Sequence, residues 1–171
     1  PPSPSVKVKA FSHLLGESEI GFFARRPLAA KYRRGFPASL SGAPMLLPTE
    51  ETMLRRSIDQ WLDANAVRPE VIGEFEDGAL LKVFGARGVG VFPASMAVVE
   101  GVKAQYDVEL VGIATGVKER LYAVTVERRI KHPAVVAICE GARAVVFATE
   151  RATVGGKPRR EGTRGRPREA G

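Results

Sequence analysis

Thr49, Asp77 and Ser95 each stand where a short apolar run gives way to a helical pattern. In an open α/β sheet such junctions lie at the carboxyl ends of strands, where N–H groups at helix starts point outward and ligands gather. Thr49 and Ser95 could each donate or accept a hydrogen bond to a small ligand. Each could equally cap its helix, a role that contributes about 1 kcal/mol. Both assignments stay open on the residues alone. Glu74, Glu76 and Asp77 concentrate negative charge at the middle junction. Carboxylates at a cleft mouth could hold a cation through hard oxygen ligands; the alternative is a cap at Asp77 with solvent-facing glutamates. The cluster also disfavours a strongly anionic ligand at that spot.

Catalytic chemistry finds little support. His13 and His132 are the only histidines, and no Cys or His pair has metal-ligand spacing. His132 precedes Pro133 and reads as a loop residue. Cys139 falls among Val136, Ile138 and Ala142 and reads as a small core residue of a helix. Gly85, Gly88 and Gly90 follow a helical pattern and precede a strand, the reverse of a phosphate loop. No nucleophile, base and orienting partner assemble. The expectation is a protein without catalysis, cofactor or resident metal.

The elements that must position the three junctions alternate between strand and helix, which argues an α/β fold. Val6, Val8 and Ala10 alternate with lysines as in a half-buried strand, and residues 19–24 form a second apolar run. Pro27, Gly35, Pro37, Gly42 and Pro44 punctuate a loop that reads as a crossover between lobes. Residues 45–47 read as a short buried strand. Leu54, Ile58, Trp61 and Leu62 follow at helical spacing, with Thr49 as N-cap and Glu50 and Glu51 in the first turn. Residues 71–75 form the next strand, followed by a cap at Asp77 and a helix through Leu80, Val83 and Phe84 that Gly88 ends. Residues 89–92 are a strand leading to Pro93, Ser95 and a helix that reaches Tyr106. Residues 108–113 and 121–126 are further strands, and Pro133 opens a last helix. The core is expected around Leu54, Trp61, Leu80, Phe84 and Val91.

With 171 residues, 44% of them hydrophobic and 26% charged, the chain has the balance of a globular protein of one domain or two small lobes. No run approaches the length of a membrane-spanning helix, so no membrane partner is expected. The single cysteine excludes an intramolecular disulfide and fits a reducing, cytoplasmic setting. The net charge of +7 is unevenly placed: residues 151–171 carry +5, leaving +2 for the 150 before them. That tail is rich in Gly, Pro and Arg without apolar periodicity, so it is expected to be disordered. It lacks aromatic residues for base stacking, and no element is visible that would enter a groove and read base edges. Any DNA contact through it would be nonspecific and weaken with salt.

Four stretches carry a family resemblance. GEFEDGALLKVFGARGVGVFPAS, at 73–95, resembles the middle of LysR-type effector domains, where a glutamate-bearing strand leads through a helix and glycine turn to a Pro-Ala-Ser corner. GAPMLLPT at 42–49, VERRIKHPAVVAI at 126–138 and VKVKAFSHLLGE at 6–17 resemble the NhaR-like group within that family. The resemblance runs from about residue 5 to 147. It implies a periplasmic-binding-protein-like (type 2) α/β fold of two lobes, the first incomplete, with an effector in the cleft. Residues 1–26 would belong to the first lobe, 27–115 to the crossover and second lobe, 116–150 to the return into the first, and 151–171 to the tail. The winged helix-turn-helix and linker helix of a full regulator are absent, so DNA would be reached only through a missing N-terminal domain. The implied function is to sense a small effector or ion, sodium among the candidates, and so to control transcription as a homo-oligomer. The candidate effector-binding residues are Thr49, Glu76, Asp77, Phe92, Pro93 and Ser95. The alternative is a solute-binding protein of a transport system with the same two-lobe fold. A helix-turn-helix upstream would favour the first, a secretory signal the second.

Overall fold

The computed structural model describes residues 10–126, 129 and 132–154. The strand expected through Val6 and Val8 and the tail beyond Val154 lie outside them. Within them the order is β1 (Phe11–Arg25), α1 (Arg26–Arg33), β2 (Pro44–Pro48), α2 (Met53–Ala64), β3 (Glu70–Phe75), α3 (Gly78–Ala86), β4 (Phe92–Ser95), α4 (Val99–Tyr106), β5 (Val108–Thr125) and α5 (Pro133–Val154). A short 3-10 turn, Met96–Val98, joins β4 to α4.

Two long antiparallel strands organise the molecule. β1 pairs with β5 from Phe11↔Thr125 to Arg25↔Val108, and with β4 from Ile20↔Ser95 to Phe23↔Phe92, giving the sheet order β4-β1-β5. The second sheet is parallel, β2 with β3, and Val91 adds a single parallel bridge to Met45. The two runs expected at 108–113 and 121–126 are thus one strand, and the run at 19–24 is the end of a longer one. The polar stretches beside them, Glu17 with Ser18 and Lys118 with Glu119, face each other across the ladder rather than breaking it.

Residues 20–24 are apolar without alternation because both faces of β1 are covered there, as in any strand buried on two sides. Ile20, Phe22 and Ala24 enter a core with Met45, Leu47, Ile58, Leu62 and Val91. Phe23 enters another with Leu46, Leu81, Phe92, Val99 and Val108. Of the expected core, Val91 is fully buried and Leu54 and Trp61 pack against it, but Leu80 and Phe84 are 49% and 43% exposed. The buried stripe of α3 runs instead through Leu81 and Gly85, one residue out of phase with the sequence reading.

The segment expected to be a loop contains α1, where only Ala29 and Tyr32 are buried. Pro27 lies in the first turn, where a missing N–H costs nothing. Arg26 and Arg33 strap the helix to β5, both donating to the Glu109 carboxylate at 3.0 and 2.6 Å. The nominal start of the disordered tail is also helical, because α5 continues to Val154.

The glycines after α3 serve packing. A methyl group at Gly85 would lie 2.0 Å from the Phe92 ring, and one at Gly90 would lie 2.9 Å from the Pro44 carbonyl. Gly88 has φ +77, which ends the helix at little steric cost. Gly85→Ala is therefore expected to lower stability by about 1–3 kcal/mol through overpacking. The gain in helix propensity, about 1 kcal/mol, offsets only part of this. Denaturant unfolding checks it, and an unchanged midpoint would mean that the ring yields freely.

Candidate functional site

A cavity of about 300 Å³ opens where the two sheets and α5 approach one another. Its walls come from Leu15 of β1, Pro48 of β2, Leu54 of α2, Leu81 of α3, Pro93 and Ser95 of β4, Leu121 of β5 and Ala142 of α5. The surface is mainly apolar, with Ser95, Lys82 and Glu119 as its polar members. That size and character fit a small-molecule pocket, in which few polar groups fix orientation. A wider neighbouring hollow of about 550 Å³ shares Leu54 and Glu119 and is walled also by Met53, Ser57 and Tyr122 and by the charged Glu17, Lys118 and Arg120.

Ser95 is the most informative residue in the cavity. It stands at the N-cap of the 3-10 turn but makes no side-chain capping bond. Ser18 caps that turn from the neighbouring strand: its Oγ accepts from the Ala97 N–H at 2.8 Å and donates to the Glu19 carbonyl at 3.2 Å. The Ser95 Oγ is left buried with no hydrogen-bond partner among the described residues. A buried hydroxyl without a partner carries a desolvation penalty of about 1–3 kcal/mol, which a ligand could relieve.

The other expected residues divide. Pro93 lines the cavity beside Ser95. Phe92 is fully buried and packs on Phe23, its ring centroid 6.1 Å away, so it supports the corner from behind. Thr49 follows the lining residue Pro48, but it does not cap α2. Its N–H donates to the Phe75 carbonyl at 3.2 Å, and its carbonyl accepts from the Thr52 N–H and Oγ. The helix therefore starts one turn later, with Thr52 as the cap, accepting from the Arg55 N–H at 3.1 Å. Asp77 does cap α3, accepting from the Leu80 and Ala79 N–H groups at 2.9 and 2.6 Å. Those bonds, Leu80 first, hold its carboxyl below the ordinary value of 3.8. With both N–H groups taken, this helix end offers little to a ligand. Glu76 is exposed and, like Asp77, does not line the cavity.

The acidic cluster has another use. Arg55 of α2 is only 6% exposed, and its guanidinium donates to Glu74 at 2.6 Å, Asp59 at 3.0 Å and the Pro48 carbonyl at 2.8 Å. Burial works against its charge, but the hydrogen bonds it donates to Glu74 and then to Asp59 prevail and its pKa rises. Arg55 lies on the apolar stripe with Ile58 and Leu62, a position that could have drawn notice in the sequence. Neither Ser18 nor Glu119 had such a local signal.

Comparison with known proteins follows the same outline. A family model, the LysR substrate binding domain, matches residues 10–146. The transcriptional activator protein NhaR of Escherichia coli (strain K12) is 33% identical over 138 residues, covering 81% of this chain and 45% of that protein. The chain thus spans about half the length of this curated relative. Among solved structures, the effector domain of the regulator AmpR of Pseudomonas aeruginosa is similar with TM-score 0.59 at 17% identity, covering 85% of this chain and 68% of that one. The regulatory domain of CcmR from Synechocystis PCC6803, in complex with 2-PG, gives TM-score 0.55 at 16% identity, covering 85% and 71%.

Removing one partner of a buried ion pair leaves the rest uncompensated. Arg55→Met is expected to destabilise the fold by about 2–4 kcal/mol, the lower values reflecting the partial exposure of Asp59 and Glu74. Thermal and denaturant unfolding measure this; a loss under 1 kcal/mol would show that the cluster is solvated in solution.

Proposed function

The chain belongs to the family of LysR substrate-binding domains, and on that premise we propose that it senses a small effector in the cavity at Ser95. Joined to a DNA-binding domain, it converts occupancy of that cavity into control of transcription in the cytoplasm. The observation that carries this reading is the unpartnered Ser95 hydroxyl in an apolar cavity walled by both sheets. Because β1 and β5 run past the cavity, a ligand touching Leu15, Leu121 and Ser95 can bias how the sheets close on it. The division into lobes follows: β2, β3 and the helices about them form one side, and the far halves of β1 and β5 with α5 form part of the other.

The cavity suits a small molecule with an apolar body. Among the described residues, no group of three or more His, Cys, Asp or Glu could hold a metal ion. The cavity walls offer mainly apolar surface. No helix among the described residues is long and apolar enough to cross a membrane.

The same reading includes self-association. Leu14 stands opposite Tyr122 in the ladder, and Val124 lies two residues on, so the three share one face. They are 47%, 48% and 66% exposed, an apolar patch of the kind that marks contact surfaces. Sedimentation velocity is expected to show a mass that rises with concentration, and Val124→Glu to shift the equilibrium to monomer. A monomer at every concentration would remove this part of the proposal.

Ser95→Ala separates a ligand-directed hydroxyl from a structural one. If the hydroxyl awaits a ligand, its loss leaves the empty protein as stable or more stable, by up to about 1 kcal/mol. The same change weakens whatever small molecules raise the melting temperature in a thermal-shift screen. A variant clearly less stable than its parent would assign the hydroxyl to the fold and defeat the reading.

A further inference from the structure

Resting on the proposed cavity, the inventory of its charges indicates what kind of molecule it takes. Residues directly opposite each other in an antiparallel ladder share a face, and so do alternate residues along a strand. Glu119 stands opposite Ser18, and Leu121 is two residues on. Ser18 reaches the Met96–Val98 turn, so Glu119 is on the sheet face that meets the Ser95 corner. Glu17 and its two cations, Lys118 at 3.7 Å and Arg120 at 2.7 Å, alternate with Glu119 along the ladder and wall the neighbouring hollow, whose edge Glu119 shares. The cations nearest to Glu119 in sequence are thus already paired with another carboxylate. Glu119 is half-buried and has no ion-pair or hydrogen-bond partner among the described residues.

The third polar member is differently placed. Lys82 donates to the Gly78 carbonyl at 2.8 Å and lies near enough to Asp77 to help lower its pKa. Its charge is partly answered inside the protein, whereas that of Glu119 is not. A charge next to apolar walls is stabilised most by an opposite charge that enters with its own apolar body.

We infer that the cavity takes a small, mainly apolar molecule bearing one ammonium group, held at Glu119, with the Ser95 hydroxyl as a second acceptor. The hydrocarbon part fills the space among Leu15, Leu54, Leu81 and Leu121. Two sources share this chemistry, a simple primary amine and an apolar amino acid. Lys82, with two ammonium hydrogens beyond the one given to Gly78, could receive the carboxylate of the second.

Four probes with one common hydrocarbon body test the inference: phenethylamine, L-phenylalanine, 3-phenylpropionate and 2-phenylethanol. Calorimetry on the intact chain is expected to rank the two ammonium compounds at least tenfold above the acid and the alcohol. Glu119→Gln should weaken them at least tenfold while leaving 2-phenylethanol unchanged, and Ala94→Leu, which fills the cavity, should weaken all four. Binding of phenethylamine but not L-phenylalanine assigns the amine; tighter binding of the amino acid, lost in Lys82→Met, assigns the zwitterion. If the acid or alcohol binds as well as the amines and Ala94→Leu abolishes it, the cavity reading stands and the ammonium inference falls. If Ala94→Leu changes nothing, both fall. No binding by any of the four also overturns the inference.

Discussion

The pairing of β1 with β5 is the constraint on which the rest of the structure depends. One ladder, running from Phe11↔Thr125 to Arg25↔Val108, fixes which residues look toward the cavity and which look away. At one end both faces are buried, so β1 is apolar at every position and serves two cores at once. At the other end two sets of residues alternate. One, Glu119 and Leu121, lines the cavity, and the other carries the Glu17 ion pairs and the exposed Leu14, Tyr122 and Val124. A slip of one residue would exchange these sets and dismantle the site.

Charge is handled differently on the two sides of the cavity. Near α2, Arg55 is enclosed by Glu74, Asp59 and the Pro48 carbonyl, so a buried cation ties a helix to the ends of both parallel strands. Two of the cavity's lining residues, Pro48 and Leu54, adjoin that cluster. Near β5 the carboxylate of Glu119 has no comparable enclosure. One side is compensated internally and the other is not.

What was legible in the sequence was local. Asp77 was readable as a cap because the groups it binds, the Ala79 and Leu80 N–H, follow it directly in the chain. β2, β3 and the last helix stood out through short apolar runs and through Pro133. The α/β class and the family resemblance, carried by motifs spread over the chain, were legible too and agree with the family match. Features that depend on distant partners were not. Ser95 has the type and place of an N-cap, yet Ser18, 79 residues from Ala97, performs the capping. Glu74 looked like part of an open acidic cluster until Arg55 was found against it. The start of α2 was misplaced because Thr49 and Thr52 are both plausible caps, and only the turn between them decides. In α3, Leu80 and Leu81 are adjacent and chemically identical, so the buried one is chosen by Phe92 and Gly85 packing rather than by pattern.

The long ladder also dictates an order of events during synthesis. His13 and Thr125 meet although they stand 112 positions apart in the chain, so β1 leaves the ribosome long before its partner exists. The pairing of β2 with β3 closes a much shorter stretch of chain. Until β5 emerges the apolar run at 20–24 has no ladder to join and is open to the wrong partner. Glu17 and Glu19 precede it and Arg25 and Arg26 follow it, charges that make a cross-β stack of this segment unfavourable. The residues that later form ion pairs with β5 and with Asp107 thus first act as guards on the nascent chain.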